Sequence, residues 1–142
     1  MAHKWHIARL IQFQTYIDGR LVNTQRSDGL IVATPTGSTA YSLSGGGPIM
    51  HPSLETLAIV PICPHTLSNR PIVLPADQPI EVRLSKDSLP AKVSYDGHST
   101  QIVNHDCRIL ITRYKEPLTL LHPEDYDYFR VLRAKLYWST SY

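Results

Sequence analysis

Cysteine is scarce in this chain of 142 residues: only Cys63 and Cys107 are present, too few for a disulfide framework. A reducing cytoplasm is therefore the expected location. No stretch approaches the roughly 20 consecutive apolar residues of a membrane-spanning helix, so no membrane partner is expected. Met1-Ala2-His3-Lys4-Trp5-His6 leads into no apolar signal-peptide core. Charge of one sign is lacking as well. Fourteen Lys and Arg against 12 Asp and Glu leave a net charge of +2, without the basic face of a nucleic-acid binder. Three familiar catalytic loops are missing: there is no G-x-x-x-x-G-K-[ST], no G-x-G-x-x-G and no G-x-S-x-G. Phe and Trp number two each against eight Tyr and 11 Pro, a balance that suits short strands and turns better than a helical bundle. Hydrophobic residues at 42% with charged residues at 18% can build a core, which excludes a disordered chain. The length fits one domain, or part of a larger protein.

The segments that are present read mostly as strands. Ile11, Phe13, Thr15 and Ile17 fall on one face of an alternating run. Asp18-Gly19 then suits a type I′ turn, with Leu21 to Thr24 as the returning strand. Leu30 to Thr34 is continuously apolar up to its end, the pattern of a strand covered on both faces. Further strands are expected at Leu57–Ile62, Pro71–Leu74, Ile80–Leu84, Ala91–Tyr95, Arg108–Arg113 and Leu118–Leu121. Asp96-Gly97 makes a second hairpin with Thr100–Val103. Between Pro35 and Pro48, Ser38 or Thr39 can cap a short helix reaching Ser44, which Gly45-Gly46-Gly47 ends. A longer helix is expected to start at Pro123, with Glu124, Asp125 and Asp127 at its positive end and Phe129, Leu132 and Leu136 as its apolar stripe. The fold class is all-β, a β-sandwich with one short internal helix and one C-terminal helix.

Few residues announce chemistry. Cys63-Pro64-His65 and His105-Asp106-Cys107 do not have a usual zinc spacing, so buried cysteines and surface histidines are expected and no metal site is assigned. Ser27-Asp28-Gly29 is satisfied either by a turn or by a carboxylate held at a strand mouth. Asp96 sits in the same ambiguity. The Pro35–Pro48 stretch holds a proline turn, hydroxyls, a tyrosine and three glycines. It suits either a structural turn or a loop that lets a nucleotide-sized ligand approach the backbone.

Gln25-Arg26-Ser27-Asp28-Gly29-Leu30-Ile31-Val32-Ala33-Thr34-Pro35-Thr36-Gly37-Ser38-Thr39-Ala40-Tyr41 resembles the signature of bacterial NAD kinases. The likeness continues through Gly45-Gly46-Gly47-Pro48-Ile49, Val60–Pro71, Leu121–Tyr126 and Lys135–Trp138, close to the whole chain. Such kinases transfer the γ-phosphoryl of ATP, or of polyphosphate, to the 2′-hydroxyl of the adenosine ribose of NAD, with a divalent metal such as Mg. The resemblance implies that residues 1–142 are the C-terminal β-domain, which binds NAD and builds homo-oligomers, dimers or tetramers. The family's Gly-Gly-Asp-Gly loop and Asn-Glu pair are not in the sequence, so the chain alone is expected to be inactive. The resemblance also implies that Asp28 binds the nicotinamide end and that Thr39, Ala40, Tyr41 and Ser44 line the dinucleotide pocket. Cys63 and His65 would reach the adenine pocket of another subunit, and Asp96 would lie near the reacting ribose as the candidate catalytic group. The alternative is a non-catalytic β-sandwich module for ligand binding or oligomerisation.

Overall fold

The structure is a computed structural model that describes residues 10–66 and 68–138; the reading of Met1 to His6 lies outside them. Nine strands, two helices and a short 3-10 turn follow one another: β1 (Ile11–Ile17), β2 (Arg20–Ser27), β3 (Gly29–Ala33), the 3-10 turn Thr36–Thr39, α1 (Tyr41–Ser44), β4 (Thr56–Ile62), β5 (Ile72–Pro75), β6 (Ile80–Leu84), β7 (Ala91–Tyr95), β8 (Ser99–Val103), β9 (Arg108–Ile111) and α2 (Tyr128–Leu136). They form a four-stranded sheet in the order β2-β1-β6-β9, a three-stranded sheet β3-β4-β5 and the separate hairpin β7-β8. All the pairings are antiparallel.

Side-chain alternation explains the layering. On the four-stranded sheet Phe13, Ile80, Val82 and Leu84 point inward. They meet Leu57, Ile59 and Leu74 of the three-stranded sheet, with Val103 of β8 in the same core. The other face of β4 carries Ala58 and Val60, which pack with Met50 and Ile31 in a second, smaller core. β4 is thus covered on both sides, and its unbroken apolar sequence follows from that. Asp18 and Gly19 both adopt positive φ, 49° and 72°, as the tight hairpin between β1 and β2 requires. β2 runs three residues beyond Thr24, to Ser27, because Gln25 and Ser27 turn inward and continue the pairing with Phe13 and Ile11.

Three expectations about the second half and the loops are corrected. Leu118–Leu121 forms no strand; Leu118 and Leu121 are 87% and 92% exposed and pair with no neighbouring strand among the described residues. α2 begins at Tyr128, not at Pro123. Asp127 is its N-cap, accepting from Phe129 N at 2.9 Å and Arg130 N at 3.1 Å, while Pro123 opens a separate turn closed by Tyr126 N. On that helix Leu132 is buried but Phe129 stays exposed, in ring contact with Tyr128 and His51. Cys63 and Cys107 are both free and exposed, not buried, since each sits in a turn outside the strands.

The outer face of the four-stranded sheet holds an ionic cluster. Glu81 accepts from Arg108 at 2.8 and 2.9 Å and from Arg83, whose guanidinium lies 4.7 Å above the Tyr16 ring. Hydrogen bonds from Arg108 and then Arg83 hold the Glu81 carboxyl down at about 2, against an ordinary 4.5. The folded state therefore prefers the charged form. Its contribution is complete above pH 4.5 and is lost as the pH falls towards 2.

Two outcomes follow. Phe13→Ala, at a fully buried position, is expected to cost about 3–5 kcal/mol of stability in urea denaturation. Glu81→Gln is expected to lower the thermal midpoint at pH 7, with the gap to wild type closing between pH 4.5 and about 2. A gap that stays constant through that window would show that the charge is irrelevant.

Candidate functional site

The turn between β2 and β3 is fixed by its own backbone and by β4. Ser27 Oγ donates to Gly29 O at 2.9 Å, and Asp28 N donates to Ile62 O at 3.0 Å. Asp28 is exposed, and its carboxylate makes no hydrogen bond or ion pair among the described residues. β4 ends beside it. The chain then reverses through Cys63, a non-glycine residue at φ 44°, and His65 N donates to Arg26 O at 2.9 Å. Asp28 and the Cys63–His65 turn, far apart in sequence, thus share one end of the three-stranded sheet.

The segment from Pro35 to Met50 covers the outer face of the same sheet. Neither Ser38 nor Thr39 caps a helix by a side-chain bond to the next turn. Ser38 is instead fully buried: its hydroxyl donates to Pro35 O at 2.6 Å and accepts from Met50 N at 3.0 Å, stapling the two ends of the segment together. The 3-10 turn replaces the first part of the expected helix because Ser38 points in. Gly46 takes φ 81°, the left-handed step that ends α1. Gly47 is held by close approach: a Cβ there would lie 2.8 Å from Ser42 O and 2.9 Å from Val60 Cγ2. Ser42 is accordingly buried on the underside. Thr39, Ala40, Tyr41 and Ser44 are exposed on the outside, with Tyr41 66% accessible.

These two groups are joined through the sheet. Gly45 would meet Ile31 and Val60 at 3.4 Å if it carried a Cβ, so the glycine loop rests on those side chains. Ile31 lies three residues after Asp28, and Val60 three before Cys63, roughly 10 Å along each strand. Asp96 stands apart. It sits at the tip of the β7-β8 hairpin at φ 47°, and its side chain bonds none of the other named residues among those described. Nor do His105, Asp106 and Cys107 join Cys63 and His65: His105 contacts Asp106 at 3.2 Å and Cys107 donates to Asn104 Oδ1 at 3.3 Å.

Sequence reasoning missed a polar pair that ties this end together. Asn69 Nδ2 donates to Gln25 Oε1 at 3.0 Å. The only signal was Gln25 on the inward phase of β2, which marks a polar group needing a buried partner without saying which residue supplies it.

Comparison with known proteins gives a consistent result. A family model described as the ATP-NAD kinase C-terminal domain matches residues 1–122. The chain is 52% identical over 139 residues to an NAD kinase of Tolumonas auensis, covering 96% of this chain and 47% of that protein. It is 51% identical over 132 residues to an NAD kinase of Chromobacterium violaceum, covering 93% and 45% respectively. The fold superposes on yeast NADH kinase complexed with NADH at a TM-score of 0.82 and 30% identity, over 99% of this chain and 43% of that one. It also superposes on an NAD kinase from Archaeoglobus fulgidus in complex with ATP, at 0.79 and 34% identity, over 94% and 51%. The chain spans about half the length of the curated relatives it matches.

Gly47→Ala tests the packing of the loop. Because the added Cβ would press on the Ser42 hydroxyl, the Ser42 backbone oxygen and a Val60 methyl, a loss of about 1–3 kcal/mol is expected, read from the thermal midpoint. Gly46→Ala should cost less, since it meets no atom within 4 Å and pays only for its positive φ.

Proposed function

The chain belongs to the NAD kinase family, and from that premise we propose that it is the part of an NAD kinase that binds the dinucleotide acceptor, in an enzyme that phosphorylates the 2′-hydroxyl of the adenosine ribose of NAD. The observation that carries this is the sharing of one sheet by the Asp28 carboxylate, unpaired among the described residues, and an exposed glycine-bounded turn, Thr39 to Ser44. Asp28 accepts hydrogen bonds from the carboxamide of the nicotinamide. Tyr41 offers its exposed ring as stacking area, and Thr39, Ala40 and Ser44 complete the wall. Cys63 and His65, beside Asp28, contact the adenine end of a ligand held with a neighbouring copy. Asp96, on a separate hairpin, orients a ribose hydroxyl.

Phosphoryl transfer depends chiefly on positioning and on neutralising charge, so one domain can hold the acceptor while another cradles the donor phosphates. ATP, or polyphosphate, is then the donor in the complete enzyme. A divalent metal would neutralise its phosphates; among the described residues no group of three or more His, Cys, Asp or Glu could hold one. No helix of the described residues is long and apolar enough to cross a membrane. We place the protein in the cytoplasm and expect it to assemble as a dimer or tetramer. Exposed Leu21 and Leu110, on the outer face of the four-stranded sheet, support self-association.

Ligand-observed NMR with NADH or NAD is the test, since half a site binds weakly. Asp28→Ala is expected to weaken binding about tenfold or more, the scale of losing a hydrogen bond to a charged group. Asp106→Ala, whose carboxylate contacts only its neighbour His105 among the described residues, should leave binding unchanged. A folded Asp28→Ala variant that binds like wild type would remove Asp28 from the pocket. Purified chain with NAD, ATP and Mg is expected to yield no appreciable NADP.

A further inference from the structure

We propose that the Gln25–Asn69 hydrogen bond is a positioning contact that clamps the Cys63–His65 turn against Asp28; its bearing on ligand binding rests on the NAD-binding reading above. Gln25 is 4% exposed, on the inner face of β2 opposite Phe13. Its Oε1 accepts from Asn69 at 3.0 Å, but its Nε2 has no hydrogen-bond partner among the described residues. Two further inward groups of the same hairpin, Thr15 Oγ1 and Asn23 Oδ1, are also buried without partners among the described residues, and Thr15 and Asn23 are paired across the strands. A buried amide with one half unbonded is poorer for stability than an apolar side chain of similar size. Stability therefore does not account for Gln25.

Its location does. Gln25 precedes Asp28 by three residues, and Asn69 follows His65 by four. Between them lie two backbone rungs, His65 N to Arg26 O at 2.9 Å and Asp28 N to Ile62 O at 3.0 Å. The turn these rungs close contains Cys63 in the left-handed region, which a non-glycine residue adopts at a cost, and Pro64, which donates no backbone hydrogen bond. Such a turn needs an anchor beyond itself. The side-chain pair supplies it on the far side of His65, so that Asp28, Cys63 and His65 move as one unit.

Gln25→Met separates positioning from stability, because it keeps the length of the side chain and removes both amide groups. The thermal midpoint is expected to hold or rise. Amide hydrogen exchange at His65 and Asp28 should accelerate about tenfold, while Ile80 and Val82 in the four-stranded sheet keep their protection. NADH affinity by ligand-observed NMR should fall by a similar factor. Asn69→Ala, a change outside the core, should reproduce both effects, and the double variant should be no worse than either single one. Unchanged exchange at His65 and Asp28 in both variants would overturn the clamp. Faster exchange with wild-type NADH affinity would overturn its positioning role. If the wild-type chain takes up no NADH, it is the NAD-binding reading that fails, and exchange alone decides the clamp.

Discussion

The double burial of β4 is the constraint on which the rest depends. One face, through Leu57 and Ile59, closes the main core against the four-stranded sheet. The other, through Ala58 and Val60, supports Met50 and the glycine loop. Each face needs the other, since an apolar strand bare on one side would be an exposed hydrophobic patch. The loop that carries Thr39 to Ser44 is thus a structural cover as well as a candidate binding wall. Small residues at positions 45 to 47 let one segment serve both purposes, because the backbone itself touches the sheet.

Much of this could be read from the residues. The Asp-Gly turns, the alternation of β1 and the unbroken apolar run of β3 follow from rules confined to neighbouring residues, and all three are observed. Failures came where a distant partner decides. Ser38 is a good helix cap by local chemistry, yet Met50 N, 12 residues away, draws its hydroxyl inward. Leu118–Leu121 has strand-like composition, but a strand exists only with a pairing edge. Pro123 can start a helix, and Asp127, whose carboxylate meets two free amides, starts it instead. The site was legible as motif and not as geometry: nothing local in Asp28 or His65 says that Ile62 and Arg26 join them.

Under the function proposed above, an active site divided between two domains would place different demands on each. The acceptor side would have to present hydrogen-bonding groups in a fixed relation, which a sheet with cross-linked strand ends can provide. Charge handling is a separate demand. The ionic cluster Arg83–Glu81–Arg108 lies on the outer face of the other sheet and stabilises that sheet.

The two sheets also differ in how far along the chain their partners lie. In the three-stranded sheet Ala33 meets Ala58 and Ile59 meets Ile72, separations of 25 and 13 residues. Closing the four-stranded sheet requires Phe13 to find Leu84, 71 residues on. Loop-closure entropy grows with that distance, and non-local pairing slows folding. We expect the sheet that carries the candidate site to gain its strand order early, with the sheet opposite docking onto it as the late, rate-limiting event.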